Sequence, residues 1–325
     1  MSRHERHIWE MVSLSPAKSL WDLRDVPAWE IAKRTWKAIL EDNLFSRAAE
    51  LGFYFLFALF PTLFCASAIL GLAARSAAKI YDHLLAYMAL MIPNSALEMV
   101  VHTFNQTTAS ASSGKITFGL VTAIWSASVG ISAVQETLNA VYKITDRRSY
   151  VKARIQAIGL TMLLIVTVSL SLAALFGGDF LVSWVHLRLH GRFMSDPTAI
   201  FLRICGWALA ACLLGLSLSL TYCWAPDLRK RRWHWITPGA ALGIVGWLLA
   251  SLAFRVYLNF FNTYSVTYGS LGAVIILLMW FYITGLMLLV GGEFNSELEA
   301  AAMEVKLDRE MAQKEGAPDR IVPAA

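Results

Sequence analysis

Apolar residues in this chain fall into six long runs, not into the short alternations of strands or the narrow stripes of soluble helices. The runs cover residues 48–74, 116–142, 155–177, 199–224, 236–258 and 270–292. At ~1.5 Å per residue, each is long enough to cross a hydrocarbon core of roughly 30 Å as a helix. The last two form a transmembrane hairpin around which the rest is organised. The basic loop Arg229-Lys230-Arg231-Arg232 precedes it, a polar and aromatic patch at 259–269 turns it, and Glu293-Phe294-Asn295 closes it. The pattern predicts an all-α integral membrane protein with six transmembrane helices.

Between the runs the periodicity becomes amphipathic. After Asp25-Val26-Pro27, a helix start with Pro27 in the first turn, Trp29, Ala32, Trp36, Ile39 and Leu40 share a face flanked by Lys33, Arg34 and Lys37. Such a helix suits the membrane interface, or else a groove formed by the protein's own cytosolic loops. Two further stretches, Ile80 to Met91 and Leu97 to Phe104, flank Pro93-Asn94 and are expected at the outer interface or capping the bundle. Residues 107–113 form a Ser/Thr-rich linker, and 179–198 a second outer loop. Pro61 removes one backbone bond in the middle of the first run and should kink it. The organisation expected is a cytosolic segment at 1–45, a transmembrane domain at 46–296 and a polar tail at 297–325. That tail is helical to about 314, then a disordered Pro/Ala end. The first 30 residues hold no continuous apolar stretch of the secretory type, so the N-terminus is expected to be retained.

Composition agrees with lipid as the main solvent. Hydrophobic residues make up 57% and charged residues 16%, where a soluble domain has about a quarter charged. The net charge of +5 would suit a nucleic-acid partner, but the basic residues sit in short loops beside the runs, as orientation signals do. Of the 28 Lys and Arg, only Arg75, Lys79, Lys115, Arg188, Arg192, Arg203 and Arg255 fall on the side opposite the N-terminus. The positive-inside rule then places both termini in the cytosol. Cys65, Cys205, Cys212 and Cys223 all lie inside runs with no CxxC spacing, and are expected to act as small packing residues.

Candidate chemistry lies where polar groups interrupt the runs, because each is costly in lipid and normally faces a bundle interior or a cavity. Glu50 opens the first run, Gln135, Glu136 and Asn139 occupy the last turns of the second, and Glu293 and Asn295 close the sixth. Arg203 and Arg255 stand near the opposite ends of runs four and five. Together they could line a pathway, acidic inside and basic outside, for a charged or amphipathic solute. The structural alternative pairs the carboxylates with Arg47, Arg148 or Arg154 and lets the two arginines snorkel. Gly239 and Gly243 form a GxxxG at the start of run five, and Gly269 and Gly272 open run six, spacings that let helices approach closely. His186 and His190 stand one turn apart, but further ligands would have to come from the same loop, so no metal is assigned. No P-loop, nucleophile elbow, HExxH or dinucleotide fingerprint is present, so neither an enzyme activity nor a cofactor is expected.

Several of these segments carry a resemblance. They are Ala49-Glu50-Leu51-Gly52-Phe53-Tyr54 leading to Leu59-Phe60-Pro61, then Trp125-Ser126-Ala127-Ser128 with Leu138-Asn139-Ala140-Val141-Tyr142. The third is Tyr257, Tyr264 and Tyr268-Gly269-Ser270-Leu271-Gly272-Ala273 through to Gly291-Gly292-Glu293. In this order they resemble the YihY/BrkB family of bacterial inner-membrane proteins, over roughly residues 35–300. Glu50 stands where other members often carry a different residue. The resemblance implies six helices and a bacterial inner-membrane location. It also brings the family's labels: ribonuclease BN, serum-resistance or virulence factor, and a transporter-like role linked to envelope lipid traffic. The residues offer the nuclease label no metal-carboxylate cluster and no aqueous domain. The expectation is a transporter-like or envelope/lipid-homeostasis protein without ATP hydrolysis. The alternative is a membrane scaffold or virulence-associated factor that docks partners through its N-terminal helix and the stretch at 79–104; a ribonuclease comes last. Membrane lipids are the expected partners.

Overall fold

The computed structural model describes residues 3–14, 27–72, 97–98, 101–102, 113–188, 196–230, 233, 235–260 and 270–314. Among these, the regular elements are all helical: α1 (Arg3–Leu14), α2 (Ala28–Glu41), α3 (Leu44–Leu72), α4 (Ser113–Val141), α5 (Tyr150–Arg188), α6 (Asp196–Trp224), α7 (Pro238–Phe260) and α8 (Ser270–Lys314). Six of them, α3 to α8, are long and apolar enough to cross a membrane. The chain is a multi-pass membrane protein.

Helix α8 is the centre of the arrangement. It packs against α1, α2, α3, α4 and α7, while α3 lies along α4, α4 along α5, and α5 along α6. Close backbone approach explains part of this. A Cβ on Gly52 of α3 would lie 3.1 Å from the backbone N of Tyr282, and one on Gly285 of α8 would lie 3.1 Å from Leu51 Cβ.

The main core forms at one end of the bundle, where α3, α5 and α7 begin and α4 and α6 finish. Leu44, Ala48 and Leu51, Val134, Leu138 and Val141, Leu160, Tyr222, Ala240 and Leu289 meet there. The amphipathic helices close this end: Ile8, Trp9 and Val12 of α1 and Ile39 of α2 join the same cluster. A smaller cluster, Phe254, Ile276 and Leu277, lies in the far half. Helix α2 buries Ile31, Thr35, Ala38 and Ile39, and exposes Trp29, Trp36 and Leu40. Its one apolar stripe is thus two faces, one of them on the bundle.

Several expectations need correcting. Helix α5 does not stop at 177 but continues to Arg188, so 179–188 is helix, not loop. Gly177-Gly178 is only mildly unfavourable inside a helix, and Phe180 to Leu187 are mostly apolar and contain no proline. Helix α8 likewise runs through Glu293 into the polar segment, burying Leu298, Ala301 and Met303 beyond it. Cys205 and Cys212 are exposed on α6, so they do not pack within the bundle. The amphipathic stretch at 80–91, most of that at 97–104, the linker at 107–112, the hairpin turn with Tyr264, Tyr268 and Gly269, His190, and the end of the tail from 315 lie outside the described residues.

Candidate functional site

Helices reach closest contact at the capped end, and glycine makes this possible. A Cβ on Gly239, in the first turn of α7, would stand 2.0 Å from the Gly291 carbonyl oxygen of α8. The converse Cβ on Gly291 would stand 2.5 Å from the Gly239 oxygen, and one on Gly292 would meet Leu138 Cδ2 of α4 at 2.6 Å. Any side chain here forces backbone apart. Tyr222 of α6 closes the junction by donating its hydroxyl proton to the Leu288 carbonyl at 2.7 Å.

Side chains satisfy the helix start exposed by this packing. Pro238 sits at the first helical position, where its missing N–H costs nothing. The Thr237 hydroxyl oxygen accepts from Ala240 N–H at 3.1 Å. Asn295 reaches across from α8: its Oδ1 accepts from Gly239 N–H at 2.8 Å, and its Nδ2 donates to Thr237 Oγ1 at 2.9 Å. One buried amide therefore satisfies an orphan N–H of a neighbouring helix and holds the hydroxyl that satisfies another.

Beside this cap lies the charge-bearing part of the site. Helix α4 ends in paired bonds, Lys143 N–H to Ala140 O (2.9 Å) and Ile144 N–H to Asn139 O (2.9 Å), with Lys143 left-handed at φ 53°. That is the Schellman geometry usually given to glycine. A lysine there carries a conformational cost of about 1–2 kcal/mol, and its ammonium contacts the Asp42 carboxylate between α2 and α3. Glu293 is fully buried, its Oε2 has no protein hydrogen-bond partner, and Asp42, Lys143 and Glu297 are the charges that bear on it. Six residues on, Glu299 is also buried; its Oε1 lies 3.5 Å from the Tyr142 hydroxyl and its Oε2 has no protein partner. Gln135 Nε2 of α4 is a further buried atom in that condition.

A separate clamp ties the loops. The Arg148 side chain is only 2% exposed; its Nε donates to Asp146 Oδ1 at 2.9 Å, its Nη1 donates to Gln156 Oε1 and to Ala225 O, and it stands 3.7 Å from Asp227. Asn139 completes the ring, giving Nδ2–H to Asp146 Oδ2 (3.0 Å) and accepting from Asp227 N–H (2.7 Å). Hydrogen bonds from the Arg148 guanidinium hold the Asp146 carboxyl below the usual carboxylate range.

The residues expected from sequence therefore divide. Gln135, Asn139, Glu293 and Asn295 are buried at the capped end. Glu50 and Glu136 are exposed there, not turned inward, while Arg203 and Arg255 are exposed on α6 and α7. Gly239, Gly243 and Gly272 are buried. The expected cations take other partners: Arg47 donates to the Asp42 carbonyl, and Arg154 lies 4.2 Å over the Trp125 ring. Asp42, Lys143, Asp146, Asp227, Glu297 and Glu299 were missed. The available signal was their place at span ends, where a charge meets other span ends.

Comparison with known proteins agrees with this architecture. The model of a family described as "Virulence factor BrkB" matches residues 35–316. The ribonuclease-like protein YfkH of Bacillus subtilis (strain 168) is 32% identical over 260 residues, 78% of this chain and 89% of that protein. A UPF0761 membrane protein of Stenotrophomonas maltophilia (strain R551-3) is 28% identical over 283 residues, and one of Xanthomonas oryzae pv. oryzae (strain PXO99A) 26% over 267. Each match spans 82% of this chain but only 60% of the relative's length. No solved structure matches significantly.

Proposed function

The chain belongs to the virulence factor BrkB family, and from that premise we propose a transporter-like protein of the bacterial inner membrane. It would move a charged or amphipathic solute, or an envelope lipid, without hydrolysing ATP. The observation that carries this reading is Glu293, buried within the bundle with one carboxylate oxygen unpartnered. An ionised carboxylate in such a place is unfavourable by several kcal/mol unless a cation faces it or a proton neutralises it. Lys143 is that cation, and it is already engaged by Asp42. Asp42, Glu293 and Glu297 share one ammonium, and this makes a two-state element: with Glu293 protonated the lysine stays on Asp42, and with Glu293 ionised the lysine is drawn inward. A proton or a cationic solute group shifts that balance, and α8 carries the shift to the helices it touches.

The orientation belongs to the same proposal. Both termini lie in the cytosol, on the side holding three in four of the Lys and Arg. Helix α2 then rests at headgroup level, with Trp29 and Trp36 toward lipid and Lys33 and Lys37 toward phosphate.

Solid-supported-membrane electrophysiology on proteoliposomes tests the reading, using panels of organic anions and cations at several pH values. Wild type should give solute-dependent charge movement, and Glu293→Gln should abolish it while remaining inserted and monodisperse. Currents that survive Glu293→Gln would sink it. The exposed aromatic face of α2 supports a second reading, a scaffold without transport. There, deleting residues 1–41 should harm function more than Glu293→Gln. A ribonuclease rests on the name of the Bacillus relative, and nuclease-free purified protein would remove it.

A further inference from the structure

Beside the Arg148 clamp a cleft of about 800 Å³ opens at the capped end, and Glu293 does not line it. Its walls come from α1 (Trp9, Glu10 and Ser13), from Lys143, Ile144, Thr145 and Arg147 of the α4–α5 connection with Lys152 of α5, and from Asp227, Leu228 and Arg229 of the α6–α7 loop. Hydrogen bonds tie these walls together. Arg229 N–H donates to Ser13 Oγ at 3.2 Å, Lys230 N–H to Ser13 O at 3.0 Å, and Arg147 N–H to Asp227 Oδ2 at 3.0 Å. The cleft is thus preformed, with the volume of a small-molecule site.

Its charge is one-sided. Four cations, Lys143, Arg147, Lys152 and Arg229, face it against Glu10 and Asp227. Asp227 already accepts from Arg147 N–H and stands 3.7 Å from Arg148, while Lys143 contacts Asp42. Among the described residues, no ion pair engages the exposed side chains of Arg147, Lys152 or Arg229. Three like charges around one cleft repel one another, and a bound anion would relieve that repulsion. Trp9, Ile144 and Leu228 add apolar wall, which a bare inorganic ion would not use.

We propose that this cleft binds an organic phosphate. Arg147, Lys152 and Arg229 hold the phosphoryl oxygens, and the apolar wall meets the carbon portion. A soluble phosphate ester and the headgroup of an anionic phospholipid both offer this chemistry. Lys143 lines the cleft and also belongs to the Glu293 reading, so the phosphate contacts are assigned to Arg147, Lys152 and Arg229 alone.

The test uses the full chain with two probes. Glycerol 3-phosphate is titrated calorimetrically into protein held in phosphatidylcholine nanodiscs. Phosphatidylglycerol is offered in detergent and followed as adducts by native mass spectrometry. Binding of glycerol 3-phosphate assigns a soluble ester, and binding of phosphatidylglycerol alone assigns a lipid headgroup. In either case the combined Arg147→Gln, Lys152→Gln, Arg229→Gln variant should weaken binding at least tenfold, while Lys306→Gln in the polar part of α8 leaves it unchanged. Hydrogen exchange on the wild-type chain removes dependence on the variant's folding: the bound probe should protect 143–152 and 227–230. Neither probe binding, undiminished binding by the triple variant, or protection elsewhere would overturn the proposal.

Discussion

At the capped end of the bundle, span ends are fastened by glycine contacts, a cross-helix amide cap and a buried arginine. Among the described residues of the far half, a small apolar cluster joins α3, α7 and α8, and side chains such as Leu249, Leu252 and Val256 are exposed. The difference reflects the two solvents. In lipid, apolar packing between helices gains little over apolar contact with acyl chains, so specificity must come from small residues and polar bonds. At the capped end both occur together, next to Glu293, which α8 buries completely. On the transporter reading proposed above, a rigid frame around Glu293 lets the charge change partners without the surrounding helices losing register.

Substitutions that strike the frame should have the largest effects. Gly239→Val drives a side chain into the Gly291 carbonyl and should leave little folded protein, read by size-exclusion profile and yield, while Gly159→Ala, with open space around it, should be silent. Arg148→Ala removes the centre of the loop clamp and strands Asp146 and Asp227; a loss of about 3 kcal/mol is expected in unfolding assays. Asn295→Ala uncaps α7 and should cost about 1–2 kcal/mol by the same assay. Leu252→Ala in the far half should stay within about 0.5 kcal/mol of wild type. A larger loss there would mean the two halves are built alike.

The pH dependence sharpens the same contrast. The Asp146 carboxyl is depressed in the folded state, so its bond to Arg148 contributes stability that is fully present above the unfolded carboxylate range, near ~3.9. That contribution is lost as pH falls through the lower folded value. The melting difference between wild type and Asp146→Asn should therefore be flat from mildly acidic to neutral pH and shrink only in strong acid.

The spans were legible because continuous apolar length needs no knowledge of neighbours. The end of α5 was not, since Gly177-Gly178 reads as a stop but costs too little to be one. Gln135, Asn139, Glu293 and Asn295 could be picked out as polar groups inside apolar runs. Glu136 follows Gln135 in the chain, and consecutive residues stand about 100° apart on a helix, so the buried face of one leaves the other outside. Composition alone does not say which. The partnership of Lys143 with Asp42 links the end of α4 to the start of α3, and that of Arg148 with Asp227 joins two loops. Such pairings depend on which span ends are neighbours, and no local pattern encodes them.

Carbodiimide labelling of carboxyl groups across pH, with full-length protein in lipid nanodiscs and peptide mapping by mass spectrometry, addresses Glu293 most directly. Exposed Glu50 and Glu136 provide internal standards. The account predicts slow modification of Glu293 that grows as pH falls, is lost in Glu293→Gln, and accompanies a melting temperature for that variant at or above wild type. A Glu293 that never reacts at any pH, together with a clearly less stable Glu293→Gln, would contradict it and make the carboxylate a sealed structural element.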